Sequence, residues 1–424
     1  WSIEALLSRQ DGDPDPSRFW ASLFKIRGKK PQLRTEADAS RVLTDLQGAD
    51  YRVLRVEKGT RNRKPYPPFT TDSLQQAASS QLGLSPRQTM KLAQELYEGV
   101  KLGEDAAVGL ITYIRTDSVA VAPEAQQRAR EVISRYFGDA FLPARPPNYQ
   151  TRDKSAQEAH EAIRPVDSRR TPKSVEAYLQ PKQHRLYRLI WRRFIASQMK
   201  PALYNTVTVD VETIINDNPT VYLFRATGST LWFPGFLKVY EIDTDAEEAR
   251  QSRRDATNNR EETPENAHLP DLAKGDPLKL HQLVTNQHYT KPPIPYTESQ
   301  IIGQLKKLGL GRPSTYATIV ETLKDRKYVG VEKKRLYPSP LGDQVCQLLE
   351  KHVNIVVDVD FTAQMETQLD QVARGALDRK KMLSDFYDPL KETVDRALHT
   401  VSRYLQPAAR GPTKRRKKSK SVLP

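Results

Sequence analysis

The chain has 424 residues, 38% hydrophobic and 28% charged, the balance of a globular protein of two to four domains. No stretch approaches the roughly 18–20 uninterrupted apolar residues of a membrane span and no secretory leader opens the chain, so a cytosolic protein is expected. The single cysteine, Cys346, excludes an intrachain disulfide and any Cys-x-x-Cys zinc ribbon, and its neighbours Val345, Leu348 and Leu349 predict a buried, unreactive thiol.

A formal charge of +15 points to a polyanionic partner, nucleic acid first. Seven of those charges sit in the acid-free tail at Arg410, Lys414, Arg415, Arg416, Lys417, Lys418 and Lys420, which reads as a non-specific DNA contact.

In chain order, residues 1–7 and 19–26 read as strands around a turn-rich loop at 11–16, a long-looped hairpin. Thr35 is placed to cap a helix at 36–47, residues 51–57 alternate as a strand does, and the basic stretch 58–68 reads as a linker. Helical spacing then takes over at 73–78, 85–97, 122–137, 155–163 and 174–199, with Ser85 as a cap and Pro86 in a first turn. A loop at 139–153 separates the halves of this region. Strands return at 206–214, 220–226 and 236–242, then a polar segment at 244–270 expected to be disordered, then a strand at 278–284. Helices at 297–308 and 314–326, a hairpin at 328–336 and helices starting near Leu341 and Met382 complete the chain. Helix, turn, helix and two-stranded wing is the winged-helix order.

Three motifs carry chemistry. In Gly109-Leu110-Ile111-Thr112-Tyr113-Ile114-Arg115-Thr116-Asp117-Ser118 a tyrosine precedes an arginine by two residues, in a run expected to leave a strand and enter a turn, so both side chains can face one way. A phenol titrates near 10, so a nucleophilic tyrosine needs a cation to favour phenolate and to bind the phosphate it attacks; Arg115 offers that charge in bidentate geometry. In Ala156-Gln157-Glu158-Ala159-His160-Glu161-Ala162-Ile163-Arg164-Pro165, His160 can donate to a phosphate or exchange a proton near neutrality. In Gly309-Leu310-Gly311-Arg312-Pro313-Ser314-Thr315-Tyr316-Ala317, two glycines, a cation and two hydroxyls meet at a helix start, the ingredients of a phosphate cradle. Taken singly, each has a bland reading: a strand tyrosine, a structural histidine, a capped helix.

Together these strings resemble the type IA DNA topoisomerases in their bacterial topoisomerase I form. The tyrosine motif, the AQEAHEAIRP string and the GxGRPSTYA string all match, with further matches at 68–78, 196–199, Arg326 and 361–366, collinear over about residues 1–375. The resemblance implies an α+β multidomain clamp. Its parts would be a β-rich arch or gate (1–68 and 201–285), a helical domain carrying the catalytic tyrosine (69–200), a winged-helix-like base (286–405) and a disordered basic tail (406–424). It implies Tyr113, Arg115 and His160 as catalytic residues and Arg312, Ser314, Thr315 and Arg326 as DNA-binding residues. Tyr113 would cleave one strand of single-stranded DNA and stay joined to the 5′ phosphate while the intact strand passes. Resealing would then relax negative supercoils without ATP, and no Gly-x-x-x-x-Gly-Lys-[Ser/Thr] loop is present to bind it. A cytoplasmic, nucleoid-associated monomer is expected.

The chain opens at Trp1 in a strand-like run already under way, so a fragment is expected. The family's toprim domain, which holds Mg²⁺ with a glutamate, a lysine and an Asp-x-Asp-x-Glu cluster, would precede Trp1. Mg²⁺ is therefore the expected cofactor, with ligands outside this chain, and this piece alone should bind single strands without relaxing supercoils. Departures from the family pattern are an insert at 100–108, Ile294-Pro295 where an arginine is common, and the lack of zinc ribbons after the base. Two other readings are a non-catalytic single-strand-binding module that keeps the fold, and a tyrosine recombinase, whose Arg-His-Arg set around a C-terminal tyrosine the sequence lacks.

Overall fold

Six strands close a sheet on itself, and a seventh of two residues adds to it. β1 (Ser2–Arg9) and β2 (Phe19–Ile26) form the expected antiparallel hairpin, and the other edge of β1 takes β7 (Pro277–Asn286). β3 (Asp50–Arg63) pairs along its length with β4 (Ala202–Ile215), and β4 with β5 (Asn218–Phe233). Closure comes from two non-local pairings: β2 with β5, and β3 with β7 at Tyr51↔Leu278. The two-residue β6 (Glu265–Asn266) runs parallel to β5. Register shifts in four of these pairings supply the kinks that closure requires. Ile3, Leu7, Phe19, Val53, Val209 and Phe224 fill one core, over which α1 (Glu36–Asp45), capped by Thr35 as its sequence predicts, lays Val42. On the strands, Glu212 takes Arg52 at 2.7 Å, and Asp210 sits between Arg55 at 2.9 Å and Arg225 at 2.7 Å.

The structure is a computed structural model that describes residues 1–10, 18–103, 106–149, 161–215, 218–240, 265–266, 269–290 and 292–404. The loop at 11–16, most of the polar segment at 244–270 and the basic tail lie outside the described residues. The chain divides into two units, Trp1–Ile294 and Pro295–Pro424.

A second core in the first unit is helical, built from α2 (Thr71–Leu82), α3 (Pro86–Glu98), α4 (Pro123–Phe137), the short α5 (Pro172–Val175) and α6 (Pro181–Ser197). Leu74, Leu96, Ile133, Leu186, Ile190 and Phe194 lie in it. Four expectations need correction. The basic stretch 58–63 belongs to β3: it pairs with β4 from Lys58↔Val207 to Arg63↔Ala202, and with most of it exposed the alternation that marks a strand is absent. The helix expected over 174–199 is broken before Pro181, which begins α6. Residues 161–163 are extended rather than helical, because Ile163 bridges Phe69. The strand expected at 236–242 is a tight turn over Gly235–Lys238, its Phe236 N–H bonded to the Lys200 carbonyl at 3.0 Å, and Phe236 and Tyr240 are drawn into the helical core.

Where the sheet meets the helices, Arg193 of α6 donates Nε–H to the Pro67 carbonyl at 2.7 Å and stacks over the rings of Tyr66, Phe69 and Tyr240. Burial lowers its pKa.

The second unit has the winged-helix order: α7 (Glu298–Lys307), α8 (Tyr316–Asp325), a wing of β8 (Val329–Glu332) and β9 (Arg335–Pro338), then α9 (Pro340–His352), α10 (Val359–Ala373) and α11 (Arg379–Tyr404). Ile302, Tyr316 and Val320 form its small core. α10 was not predicted as a helix, although the string at 361–366 lies within it. Cys346 is exposed, not buried, because α9 buries none of its residues, and a hydrogen bond to Glu350 Oε1 at 3.5 Å holds its thiol above the usual range. No helix among the described residues is long and apolar enough to cross a membrane.

Candidate active site and nucleic-acid interface

The tyrosine motif is an extended segment held on both sides by backbone bonds. It is not a strand: Ile111 makes a single bridge to Pro165, and the chain bends at residues 114–115. Gly109 passes so close to α3 that a Cβ there would lie 2.7 Å from the Tyr97 carbonyl oxygen, and the next residue, Leu110, bonds the Leu96 carbonyl at 2.8 Å. The insert before it, 100–108, is closed at its base by reciprocal Val100 and Val108 bonds of 3.0 Å.

From Thr112 onward, each half-turn of chain is tied down. Thr112 Oγ1 donates to the Ala162 carbonyl at 2.6 Å and its N–H to the Arg164 carbonyl at 2.9 Å. Two residues later, buried Thr71, the first residue of α2, donates Oγ1–H to the Ile114 carbonyl at 2.7 Å and accepts from the Thr116 N–H at 2.9 Å, while its own N–H bonds the Thr116 carbonyl at 2.9 Å. Thr116 Oγ1 in turn accepts from Ser118 N–H at 3.0 Å. The result is alternation: Ile114, Thr116 and Ser118 are buried, whereas Tyr113 is 44% exposed and Arg115 is exposed. The Tyr113 ring meets the Tyr97 ring edge-on, centroids 5.6 Å apart.

The second motif supplies the other wall. Glu161 Oε1 accepts from the Ala122 N–H at 2.6 Å, and Oε2 accepts from Nη2 of the buried Arg164 at 2.6 Å. Ala162 N–H bonds the Ala120 carbonyl at 2.9 Å, and Ile163 N–H the Phe69 carbonyl at 2.8 Å. Residues 69–71, 110–122 and 161–166 are thereby braided into one piece. His160 itself lies outside the described residues. Thr71, Tyr97, Glu161 and Arg164 escaped the sequence reading as positioning residues; three lie inside quoted strings, but nothing local shows which backbone groups their side chains reach.

In the second unit, the Gly309–Thr315 connection between α7 and α8 places both glycines at positive φ, 73° and 76°, and a Cβ on Gly311 would come within 3.0 Å of Thr315 Oγ1. Thr315 Oγ1 accepts from the Arg312 N–H at 2.8 Å and donates to its carbonyl at 3.1 Å, so it braces the turn. Ser314 and Thr315 are exposed, as is Arg326 where α8 ends. The Arg312 guanidinium, one third exposed, reaches α10, with Nη2 2.8 Å from Asp370 Oδ2 and Nη1 3.3 Å from Glu366 Oε2. A phosphate at this turn would compete with two carboxylates for Arg312.

Among the described residues no three His, Cys, Asp or Glu side chains gather as a metal-ligand set. One Asp-x-Asp-x-Glu string, Asp243-Thr244-Asp245-Ala246-Glu247, lies outside the described residues.

Comparison with known proteins matches residues 1–384 to the family model described as DNA topoisomerase. The chain is 41% identical over 401 residues to DNA topoisomerase 1 of Xylella fastidiosa and 40% identical over 400 residues to that of Rickettsia felis, covering 93% of this chain in each case but only 47% and 48% of those relatives. The solved full-length topoisomerase I of Thermotoga maritima superposes with a TM-score of 0.68 at 32% identity, over 93% of this chain and 59% of that one. The chain spans about half the length of the relatives it matches. It belongs to the DNA topoisomerase family, in the type IA class.

Proposed function

We propose that this chain supplies the strand-cleaving part of a type IA DNA topoisomerase, with Tyr113 as the nucleophile. The observation that carries the reading is the alternation at 113–118, which presents a phenol and a guanidinium on one exposed side of a segment whose other side is locked by Thr71. The Tyr113 phenol oxygen would attack a phosphodiester of single-stranded DNA, forming the phosphotyrosine bond to the 5′ phosphate and releasing the 3′ oxygen, which takes up a proton. Arg115 would hold the non-bridging oxygens, where developing charge is greatest. His160 would serve as a proton or hydrogen-bond partner, given that Thr112, beside Tyr113, is bonded to Ala162, two residues beyond His160. One phosphodiester replaces another, so the step is nearly isoenergetic and reverses on attack by the 3′ hydroxyl, needing no ATP.

In this reading the closed sheet (1–68 and 201–285) is the gate arch, 69–200 the tyrosine domain and 286–405 the base, whose Arg312, Ser314, Thr315 and Arg326 bind DNA, with the basic tail adding non-specific contact. Mg²⁺, which would position DNA ends and offset phosphate charge, is assigned to a toprim domain. The described residues offer no ligand set for it.

The test mixes the chain, or its Tyr113→Phe variant, with end-labelled single-stranded DNA and Mg²⁺, with and without a separately produced toprim domain, and looks for covalent adducts after denaturation. A 5′-linked adduct that requires Tyr113 supports the reading, and its dependence on the added domain locates the metal site. Intact DNA binding without adduct in either mixture would favour a non-catalytic binding module.

A further inference from the structure

The wing holds lysines where the backbone favours glycine. Glu332 pairs with Arg335 across β8 and β9, which leaves Lys333 and Lys334 as a two-residue hairpin turn with φ of 47° and 64°. Two positive φ values in succession define the type I′ turn, for which Asn-Gly or Gly-Gly is the usual choice because a Cβ crowds the left-handed backbone. A third lysine repeats the pattern at the foot of the wing. α8 ends in a Schellman motif, with Tyr328 N–H to the Leu323 carbonyl and Lys327 N–H to the Lys324 carbonyl, both 2.9 Å, and the left-handed position that glycine normally takes is Lys327, φ 57°. Among the described residues only four non-glycine residues have positive φ; three are these lysines and the fourth is Arg27. Lys327, Lys333 and Lys334 are all exposed, as is neighbouring Arg326.

We propose that the β8–β9 wing is a phosphate-gripping element for single-stranded DNA, in which Lys333 and Lys334 are kept at strained turn positions for their charge. Strained backbone persists where the surroundings over-determine it and tends to mark function. Here the hairpin register and the Leu336 N–H bond to the Tyr296 carbonyl at 2.7 Å hold the turn, and what the strained positions present to solvent is cationic. A lysine is suited to such a contact as a point charge on a flexible stem, tolerant of sequence and of strand geometry. The inference rests on the DNA-binding reading above and adds a contact that none of its residues supplies.

The test measures binding of the whole chain to a fluorescein-labelled oligothymidylate as salt is raised, together with the thermal midpoint, for wild type, K333N/K334G, K333Q/K334Q and K333R/K334R. Loss of two phosphate contacts should lower the magnitude of the log–log salt slope by about 1.4 and weaken binding about tenfold near 0.15 M salt, for the Asn-Gly and Gln-Gln pairs alike. The Arg pair should keep the slope. The Asn-Gly pair alone should also raise the midpoint, by roughly 3–8 °C, since it relieves both left-handed positions. Unchanged affinity and slope in the charge-removed variants, with wild type binding normally, would overturn the wing contact alone. An unchanged midpoint for Asn-Gly would overturn the strain. No binding by wild type would overturn the proposal together with the DNA-binding reading.

Discussion

Thr71→Val tests whether the nucleophile is positioned by a single buried hydroxyl. The valine keeps the shape but removes the oxygen that bonds the Ile114 carbonyl at 2.7 Å and the Thr116 N–H at 2.9 Å. Thr71 and Thr116 are buried and the Ile114 side chain packs in the helical core, so both backbone groups lose a partner that water replaces only if the segment shifts. Each unsatisfied buried group costs about 1–3 kcal/mol, roughly 2–6 kcal/mol for the pair if the segment stays in place. If it moves to recover those bonds, Tyr113 and Arg115 move with Ile114 between them. At about 1.36 kcal/mol per tenfold in rate, misplacement that raises the barrier by about half of that cost, roughly 1.4–2.7 kcal/mol, predicts a roughly 10–100-fold slower adduct at saturating DNA. The assay is the labelled-strand adduct reaction with Mg²⁺ and toprim domain, with DNA affinity followed by anisotropy and folding by circular dichroism. Affinity should stay within about threefold, because Thr71 is buried, and Thr71→Ser should restore the rate. A folded Thr71→Val chain that forms adduct at the wild-type rate would refute the reasoning.

Gly109→Ala should force the segment away from α3, since its Cβ would sit 2.7 Å from the Tyr97 oxygen; we expect about 1–3 kcal/mol lost in urea denaturation and a slower adduct, and an unaltered midpoint would show that the approach is not tight. Arg312→Ala and Asp370→Ala should each destabilise the second unit and couple by about 1 kcal/mol in a double-mutant cycle; additive effects would mean that Asp370 does not hold Arg312. For Asp210, burial pushes the carboxyl up, but hydrogen bonds from Arg225 and Arg55 outweigh it and hold it below the ordinary range. A depressed folded-state value contributes stability that is present above the unfolded value near 3.9 and is lost as pH falls through the folded value, so the gap in midpoint between wild type and Asp210→Asn should be widest above about pH 5 and close toward pH 3. A gap independent of pH would refute the charge assignment.

Much of the candidate site is legible because its chemistry is local. Ser85-Pro86 and Thr35 cap the helices they should, as short-range rules require. Tyr113 and Arg115 are both exposed, as their spacing of two predicts, although the segment bends between them. Arg312 is the counter-case: its string describes a cradle, but the partners of its side chain, Glu366 and Asp370, lie more than 50 residues away.

The sequence by itself determined the local spacings, the helix starts, the winged-helix order and the motif order that resembles the family, because caps, turn residues and periodicity act within a few positions along the chain. Only the tertiary structure decided what depends on distant pairing. β2 meets β5 and β3 meets β7 to close a sheet assembled from both ends of the first unit, Phe236 and Tyr240 leave the strand pattern for a helical core, and Cys346 stays exposed on α9, a helix none of whose residues is buried among the described residues. Thr71 becomes the support of the Tyr113 segment across more than 40 residues of chain, since a buried backbone group takes whichever partner the fold brings to it.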